Sequence, residues 1–582
     1  MKTIKKIPFL IALCVVLTSC DNNFLSPEPR SFFTPENTFV DPQGYESLLV
    51  TMRKSFAREA TGNRHYLSSE FVSSDLAVAV FQMDFFKNTP SNSQFFPYLR
   101  MFDDIYSFLK NSNVIVSRID DIEWPDTEVR DAILAEAYWH RAYWYYRLVH
   151  SYGDVPWIGE ELHGAKLDFE TYSRWAILDK IQEDLEWAAE RLHDSANPGV
   201  PTKAAANHLL AKVYLANMEY DNAIAAATAV IDGPHALMTE RFGSYADDPN
   251  RDLMWDLHRA ENINNSQNTE VIYSMVDRPE APSAARSPGL YTMRLYTPSW
   301  WKIQDSSGGI GTVENSEMGD TLGAGNGDVR TNVFWHRLIW NDENYTWEDT
   351  PDRRRSSDNW IEMEEIKFND PSSPNLGESV NKDYYGQLID TTDTWFPWPY
   401  YKVYQTQHDS GRPMGGNGDW YIFRLAETYL IRAEAHYWND NPGLAADDIN
   451  TVRDRADAPL IAAGDVDLDY IFDERARELY MEEPRHSEMV RASYLMAAEQ
   501  RDGYSLDNFS DNNWYYDRVM AKNLHYHEPR LRHYGNTATL EPHNVLWAIP
   551  QSVITANTQG RVNQNEGYTG AEDNVSPIET IE

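Results

Sequence analysis

The chain has 582 residues, 42% of them hydrophobic, enough to bury a sizeable core, and this excludes disorder throughout. Its 51 lysines and arginines stand against 90 aspartates and glutamates, a formal net charge of −39, so its field repels polyanions and argues against nucleic acid as a partner. Aromatic residues make up 13%, a pairing of polar surface with amphipathic rings that suits contacts to sugars.

In chain order, Lys2, Lys5 and Lys6 precede an apolar run from Ile7 to Leu17, and Leu17-Thr18-Ser19-Cys20 ends the segment in small residues before a cysteine. This is the pattern of an export signal. The run is too short to span a hydrocarbon core, which takes roughly 20 residues, and no later run reaches that length. Of the two cysteines, Cys14 lies in the part to be removed, so the mature chain has no second thiol for a disulfide. Leu17–Cys20 resembles the lipobox of bacterial lipoproteins, which implies removal of residues 1–19 and lipid on Cys20. The alternative is an ordinary signal peptide that leaves Cys20 as a free thiol. Residues 21–29 read as a short polar tether, and 20–96 as a whole as tether plus an N-terminal helical segment.

From Pro97 to Tyr152 apolar residues recur at three and four (Phe102, Ile105, Tyr106, Leu109; Ala135, Tyr138, Trp139, Ala142), predicting two helices parted by Trp124-Pro125-Asp126. A further helix is predicted over 171–193, stopped by Asn197-Pro198-Gly199, and another over 203–217. Ala211 and Ala223 straddle a short turn at a spacing that Ala433 and Ala445 repeat. Tetratricopeptide hairpins place small residues there because the two helices cross closely. Residues 97–241 are therefore expected to form such hairpins.

Between 242 and 419 the helical period fades into Ser306–Gly311, Gly323–Gly327 and Asp370–Asn375, a loop-rich insertion expected to cap the helices. Glu270–Val276, Val333–Ile339 and Tyr400–Tyr404 look like short strands. Residues 420–582 would hold the last hairpin and a C-terminal segment. The expected fold class is all-α, with about four tetratricopeptide-like hairpins and a loop-rich capping insertion carrying short strands.

Catalytic signatures are missing: there is no zinc-binding His-Glu-x-x-His, no Gly-x-Ser-x-Gly elbow, and Gly415-Gly416-Asn417-Gly418 lacks a phosphate-loop lysine. No catalytic residue, metal site or cofactor is assigned. Glu474, Arg475 and Glu478 sit on neighbouring turns of one helix and are expected to form supporting ion pairs. Tryptophan, in contrast, is concentrated in loops: Trp335, Trp340, Trp347, Trp360, Trp395 and Trp398 are six of the nineteen. An indole presents a flat apolar face to the C–H face of a pyranose, although packing of a coreless loop explains any single one of them. Arg353-Arg354-Arg355 leaves sulfated or uronic ligands open, with a solvated loop as the plainer reading.

Arg424-Leu425-Ala426-Glu427, Leu430 and Ala433-Glu434-Ala435 resemble the last tetratricopeptide hairpin of the SusD/RagB family of outer-membrane nutrient-binding lipoproteins. Ile449-Asn450, Val452-Arg453, Arg455-Ala456, Glu474-Arg475, Arg477-Glu478-Leu479, Arg485, Ile549-Pro550, Gln564-Asn565 and Gly567-Tyr568 continue the resemblance. Glu483 and Glu566 depart from it, standing where the family usually has glycine and proline. The likeness covers roughly 20–240 and 420–570. It implies a non-enzymatic, glycan-binding lipoprotein at the cell surface, anchored in the outer membrane through Cys20. Such a protein would act as a lid over a SusC-like TonB-dependent transporter. It further implies that the loop carrying Asp75, Phe85, Phe86 and Asn88, and the segment with Trp300 and Trp301, contribute to the ligand face. With Trp335, Trp347, Trp360, Trp395 and Trp398 these are the candidate glycan contacts. The competing readings are a surface glycosidase or lyase on an α/α toroid and a pure assembly module of the transporter.

Overall fold

The computed structural model describes residues 38–63, 65–79, 90–91, 97–314, 317–385, 394–406, 412–527 and 539–582. Cys20 and its flanks lie outside them.

Helix α1 (Pro42–Ser55) begins at Asp41, whose carboxylate accepts from the Gly44 N–H, with Pro42 at the position that needs no donor. α2 (Tyr66–Val72) leads into strand β1 (Ala77–Ala79). α3 (Pro97–Arg118) and α4 (Thr127–Tyr152) form the first long hairpin, and Asp126 caps α4 by accepting from the Glu128 N–H at 2.8 Å. A small ladder of β2 (Val155–Pro156) and β3 (Thr171–Tyr172) precedes α5 (Arg174–Arg191), α6 (Lys203–Ala216) and α7 (Tyr220–Ile231). Ser173 and Thr202 cap α5 and α6. The insertion contributes β4 (Val271–Met275), β5 (Val329–Thr331), β6 (Trp360–Ile361) and β7 (Trp398–Pro399). β8 (Trp420–Arg424) then runs into α8 (Leu425–Trp438), followed by α9 (Pro442–Arg455), α10 (Leu468–Leu479), α11 (Arg485–Ala498) and α12 (Trp514–Lys522).

Helices α3 to α9 pack each against the next, and α7 lies directly on α8 although the whole insertion separates them in sequence. The helical array is thus continuous, and the insertion leaves and rejoins it at one place. Antiparallel pairing of β4 with β8, Val271 opposite Arg424, closes that neck, and the Leu425 N–H donates to the Glu270 carbonyl at 2.9 Å. Ala211, Ala223, Ala433 and Ala445 are all fully buried, where the expected helix crossings require them. Replacing Ala433 by Leu is expected to overpack its crossing and cost about 1–3 kcal/mol, read as a lower urea midpoint at unchanged slope. An unshifted midpoint would mean that the two helices have room to spare.

The insertion is a cap and not a separate body, because one core cluster unites Trp139 of α4, Ile177 of α5 and Leu209 of α6 with Trp300, Trp335, Trp360 and Val403 of the insertion. Among the described residues the strands pair only two by two. Glu270–Val276 does hold a strand, β4. Val333–Ile339 does not: Asn332 accepts from the Trp335 N–H at 3.0 Å and so starts a helical turn over Val333–His336, which overrides β-branched propensity. Tyr400–Val403 is likewise one helical turn.

His65, at the start of α2, and His486, stacked 4.6 Å from Trp547, are enclosed, and burial pushes both imidazoles down to about 3. The unfolded chain would bind these protons near pH 6.5, so it holds more protons than the native state between about 6.5 and 3. Stability therefore rises with pH across that window. Acidification from pH 7 to 5 is expected to lower the melting temperature, and replacing both histidines by Gln should flatten that part of the profile.

Candidate functional site

Two candidate surfaces far apart in sequence meet at the β1–β5 ladder, in which Ala77 lies opposite Thr331 and Ala79 opposite Val329. β1 therefore ends, at Ala79, alongside the start of β5. Phe85, Phe86 and Asn88 follow and lie outside the described residues. Across the ladder, the loop before β5 carries the acceptor that fixes Trp301. Its indole Nε1–H donates to the Gly325 carbonyl at 2.7 Å, and the ring is only partly covered. Only glycine suits position 325, since a Cβ there would collide with the Thr297 hydroxyl and the Pro298 carbonyl. The loop itself is pinned by the Gly327 N–H on the Thr297 carbonyl at 2.9 Å and by Arg294, whose Nη1 donates to the Ala324 carbonyl at 2.8 Å. Lys302 Nζ lies 4.9 Å from the Trp301 ring centroid. The result is an aromatic face held in one orientation before any ligand arrives, which removes an ordering cost from binding.

Trp300, beside it, turns inward, fully buried, with its Nε1–H on the Gly323 carbonyl at 2.9 Å. Trp335, Trp360 and Trp398 are also core residues. Trp335 lies 3.9 Å from the Tyr480 ring and 5.0 Å from that of Trp360. These four are corrections to the sequence reading: with no core of their own, the loops of the insertion spend their indoles on packing, and no face is left for a sugar. Trp347 and Trp395 are partly exposed, and the guanidinium groups of Arg337 and Arg355 lie 4.4 and 4.8 Å from the Trp347 ring in cation–π contact.

Asp75 is the other correction. It is fully buried and accepts from Arg485 Nε at 2.9 Å and Nη2 at 2.7 Å, and from Arg518 Nε at 2.8 Å. Burial pushes its carboxyl up, but the two guanidinium groups outweigh burial and bring it down to about 2. It joins α12 and α11 to the start of the candidate face and is not open to a ligand. The arginine run is not a solvated patch either. Arg354 is enclosed, donating to Glu474 at 2.7 Å and Glu478 at 3.0 Å, Arg355 pairs with Glu362 at 2.6 Å, and Arg353 pairs with Asp457.

The acidic and basic residues of α10 are structural, as expected, but most partners come from other elements. Glu474 accepts from Arg453 at 2.6 Å and Arg354 as well as from Arg477 three residues on, Glu478 pairs with Arg424 and Arg455, and Arg475 with Glu483 at 2.7 Å. Sequence reading missed Gly325, Thr297 and Arg294, which hold the Trp301 platform. The glycine-rich run Gly323–Gly327 is the available signal, and composition alone marks it only as a loop.

A family model described as "SusD family" matches residues 260–568, and one described as "Starch-binding associating with outer membrane" matches 35–215. Two proteins of Formosa agariphila are similar. "SusD-like protein P25" is 24% identical over 435 residues, 68% of this chain and 70% of its own length. "SusD-like protein P2" is 26% identical over 241 residues, 39% of this chain and 46% of its own. Among solved structures, a "Laminarin binding SusD-like protein" superposes with a TM-score of 0.62 at 17% identity, covering 91% of this chain and all of its own. "Surface glycan-binding protein A from Bacteroides thetaiotaomicron in complex with laminarihexaose" gives a TM-score of 0.62 at 17% identity, covering 90% of this chain and 98% of its own.

Proposed function

The chain belongs to the SusD family, and from that premise we propose that it captures glycan at the cap face centred on Trp301 without altering it covalently. The observation that carries the reading is an indole fixed through its N–H to the Gly325 carbonyl, in the loop before β5, with part of its ring open. Apolar C–H faces of pyranose rings stack on such a surface, and surrounding polar groups take the hydroxyls. The names of similar proteins, one binding laminarin and one in complex with laminarihexaose, support a neutral oligosaccharide as ligand.

The finer parts of the proposal are lipid attachment at Cys20, a station on the outer face of the outer membrane, and delivery of the captured chain to a SusC-like TonB-dependent transporter. They are supported by the Leu17–Cys20 pattern and by the family model whose description associates it with the outer membrane. Among the described residues no helix is long and apolar enough to cross a membrane. Two acyl chains would hold the protein there stably at about 0.8 kcal/mol per buried methylene.

Electrophoresis through gels containing laminarin, starch or another neutral polysaccharide tests the reading, with released reducing ends measured in parallel. The wild-type protein should be retarded by at least one polysaccharide, with no new reducing ends. Trp301→Ala should weaken that retardation about 30-fold or more, as loss of an aromatic hot spot of 2 kcal/mol or above does, at an unchanged unfolding midpoint. Turnover would point to an enzyme. Co-purification with a barrel but no retardation on any gel would point to an assembly role, and either outcome sinks the proposal.

A further inference from the structure

A cavity of about 460 Å³ opens between the start of α5, the end of α11 and the C-terminal segment. None of its lining residues comes from the insertion, so it shares nothing with the Trp301 face. Its lining includes Arg174, which is fully enclosed yet, among the described residues, makes no ion pair with a carboxylate, unlike Arg485, Arg491 and Arg518. One of its nitrogens is accounted for. His150 keeps its Nδ1–H on the Tyr146 carbonyl at 2.8 Å, which leaves Nε2 to accept from Arg174 Nη2 at 3.0 Å. The other two, Nε and Nη1, have no hydrogen-bond partner among the described residues. Asp154, which also lines the cavity, accepts from the Arg174 backbone N–H at 2.8 Å. Burial holds the guanidinium down at about 10, although the nearby Asp154 carboxylate acts the other way. A buried donor left unmade costs roughly 1–3 kcal/mol, so the chain bears this arrangement at a cost to its own stability.

The walls are aromatic. The guanidinium lies 4.2 Å from the Trp175 ring and 3.9 Å from that of Tyr494, and Tyr494 stacks on Phe509 at 4.2 Å and 23°. Trp175 remains partly exposed. At the rim stand Ser510 and three exposed carboxylates, Asp507, Glu566 and Glu579. Four carboxylates, Asp154 inside and three at the rim, disfavour an anion, and the enclosed guanidinium disfavours an ammonium placed beside it. Donors at the floor, acceptors at the rim and flat apolar walls between them match a neutral ring that carries both hydroxyls and acceptor oxygens.

We propose that this cavity is a second, independent site for a neutral pyranose unit, with Arg174 donating to its oxygens and the Trp175 wall taking its C–H face. The inference rests on the reading that this chain binds glycan and adds a station remote from the cap.

The test is calorimetric titration of the full mature chain with laminarihexaose, maltohexaose, cellohexaose and a hexauronate, followed by structures of crystals soaked in the same sugars. A neutral hexasaccharide should bind at two equivalents. Trp301→Ala should leave one, Ser510→Trp, which fills the cavity, should leave one, and the double variant none. The soak should show a sugar ring within hydrogen-bond distance of Arg174. Trp175→Ala provides a second probe should Ser510→Trp fold poorly. If Trp301→Ala alone removes all binding, or the soaked cavity holds no sugar, the inference is overturned and the cap reading stands. If Ser510→Trp alone removes all binding, the cap reading falls and the cavity stands. Occupation by the hexauronate overturns the assignment to neutral sugar, and binding of no hexasaccharide overturns both.

Discussion

Asp75→Ala should destabilise the protein by about 3–5 kcal/mol, the range for removing one partner of a buried ion pair and leaving the other charge uncompensated. Two guanidinium groups lose a partner at once, though Arg485 keeps Glu483 at 3.0 Å and Arg518 keeps Asp469 at 2.7 Å and Asp473 at 2.5 Å. That residual pairing favours the lower end. Equilibrium urea unfolding measures the effect. Asp75→Asn, which keeps the shape but not the charge, should fall between the wild-type protein and the alanine variant. A midpoint unmoved by Asp75→Ala, with glycan retardation lost, would return this carboxylate to the ligand face and refute the structural role assigned to it.

Trp335→Ala is the second large effect, about 3–5 kcal/mol, as expected for emptying a core site of a large aromatic side chain. The indole is 1% exposed, bridges Tyr480 and Trp360, and donates through Nε1 to the Ala476 carbonyl at 3.3 Å, so its loss would loosen the insertion from α10. Trp301→Ala provides the contrast, with binding lost and stability kept. Should Trp335→Ala instead leave the unfolding curve in place while abolishing glycan retardation, the division of the tryptophans into core and platform would be wrong.

The helical array was readable because its signals are local. The recurrence of Phe102, Ile105 and Leu109, the breaker Trp124-Pro125-Asp126, and the paired alanines each act within a turn or a hairpin, and all hold in the structure. The candidate site was readable only in part, because what separates Trp301 from Trp300 is which of two adjacent rings the Gly325 carbonyl and its neighbours leave uncovered. No periodicity encodes that choice. Trp335, Trp360 and Trp398 looked available because they lie in loops, yet loops with nothing else to bury draw their aromatics inward. The partners of Asp75 are equally invisible to a local reading, since Arg485 and Arg518 arrive from more than 400 positions away.

Those long-range pairs govern how the polypeptide reaches its final state. Glu70 accepts from the Ser487 N–H at 2.8 Å, Arg147 donates to the Ser487 hydroxyl at 2.7 Å, and Asp75 waits for Arg485 and Arg518. A chain emerging N-terminus first can pair Arg147 with Glu59 and Glu70 early, but Asp75 lacks both guanidinium partners until the last hundred or so residues follow. A copy cut short before α11 would leave that carboxylate without its counter-ions, and is expected to be cleaved by proteases faster than the full chain.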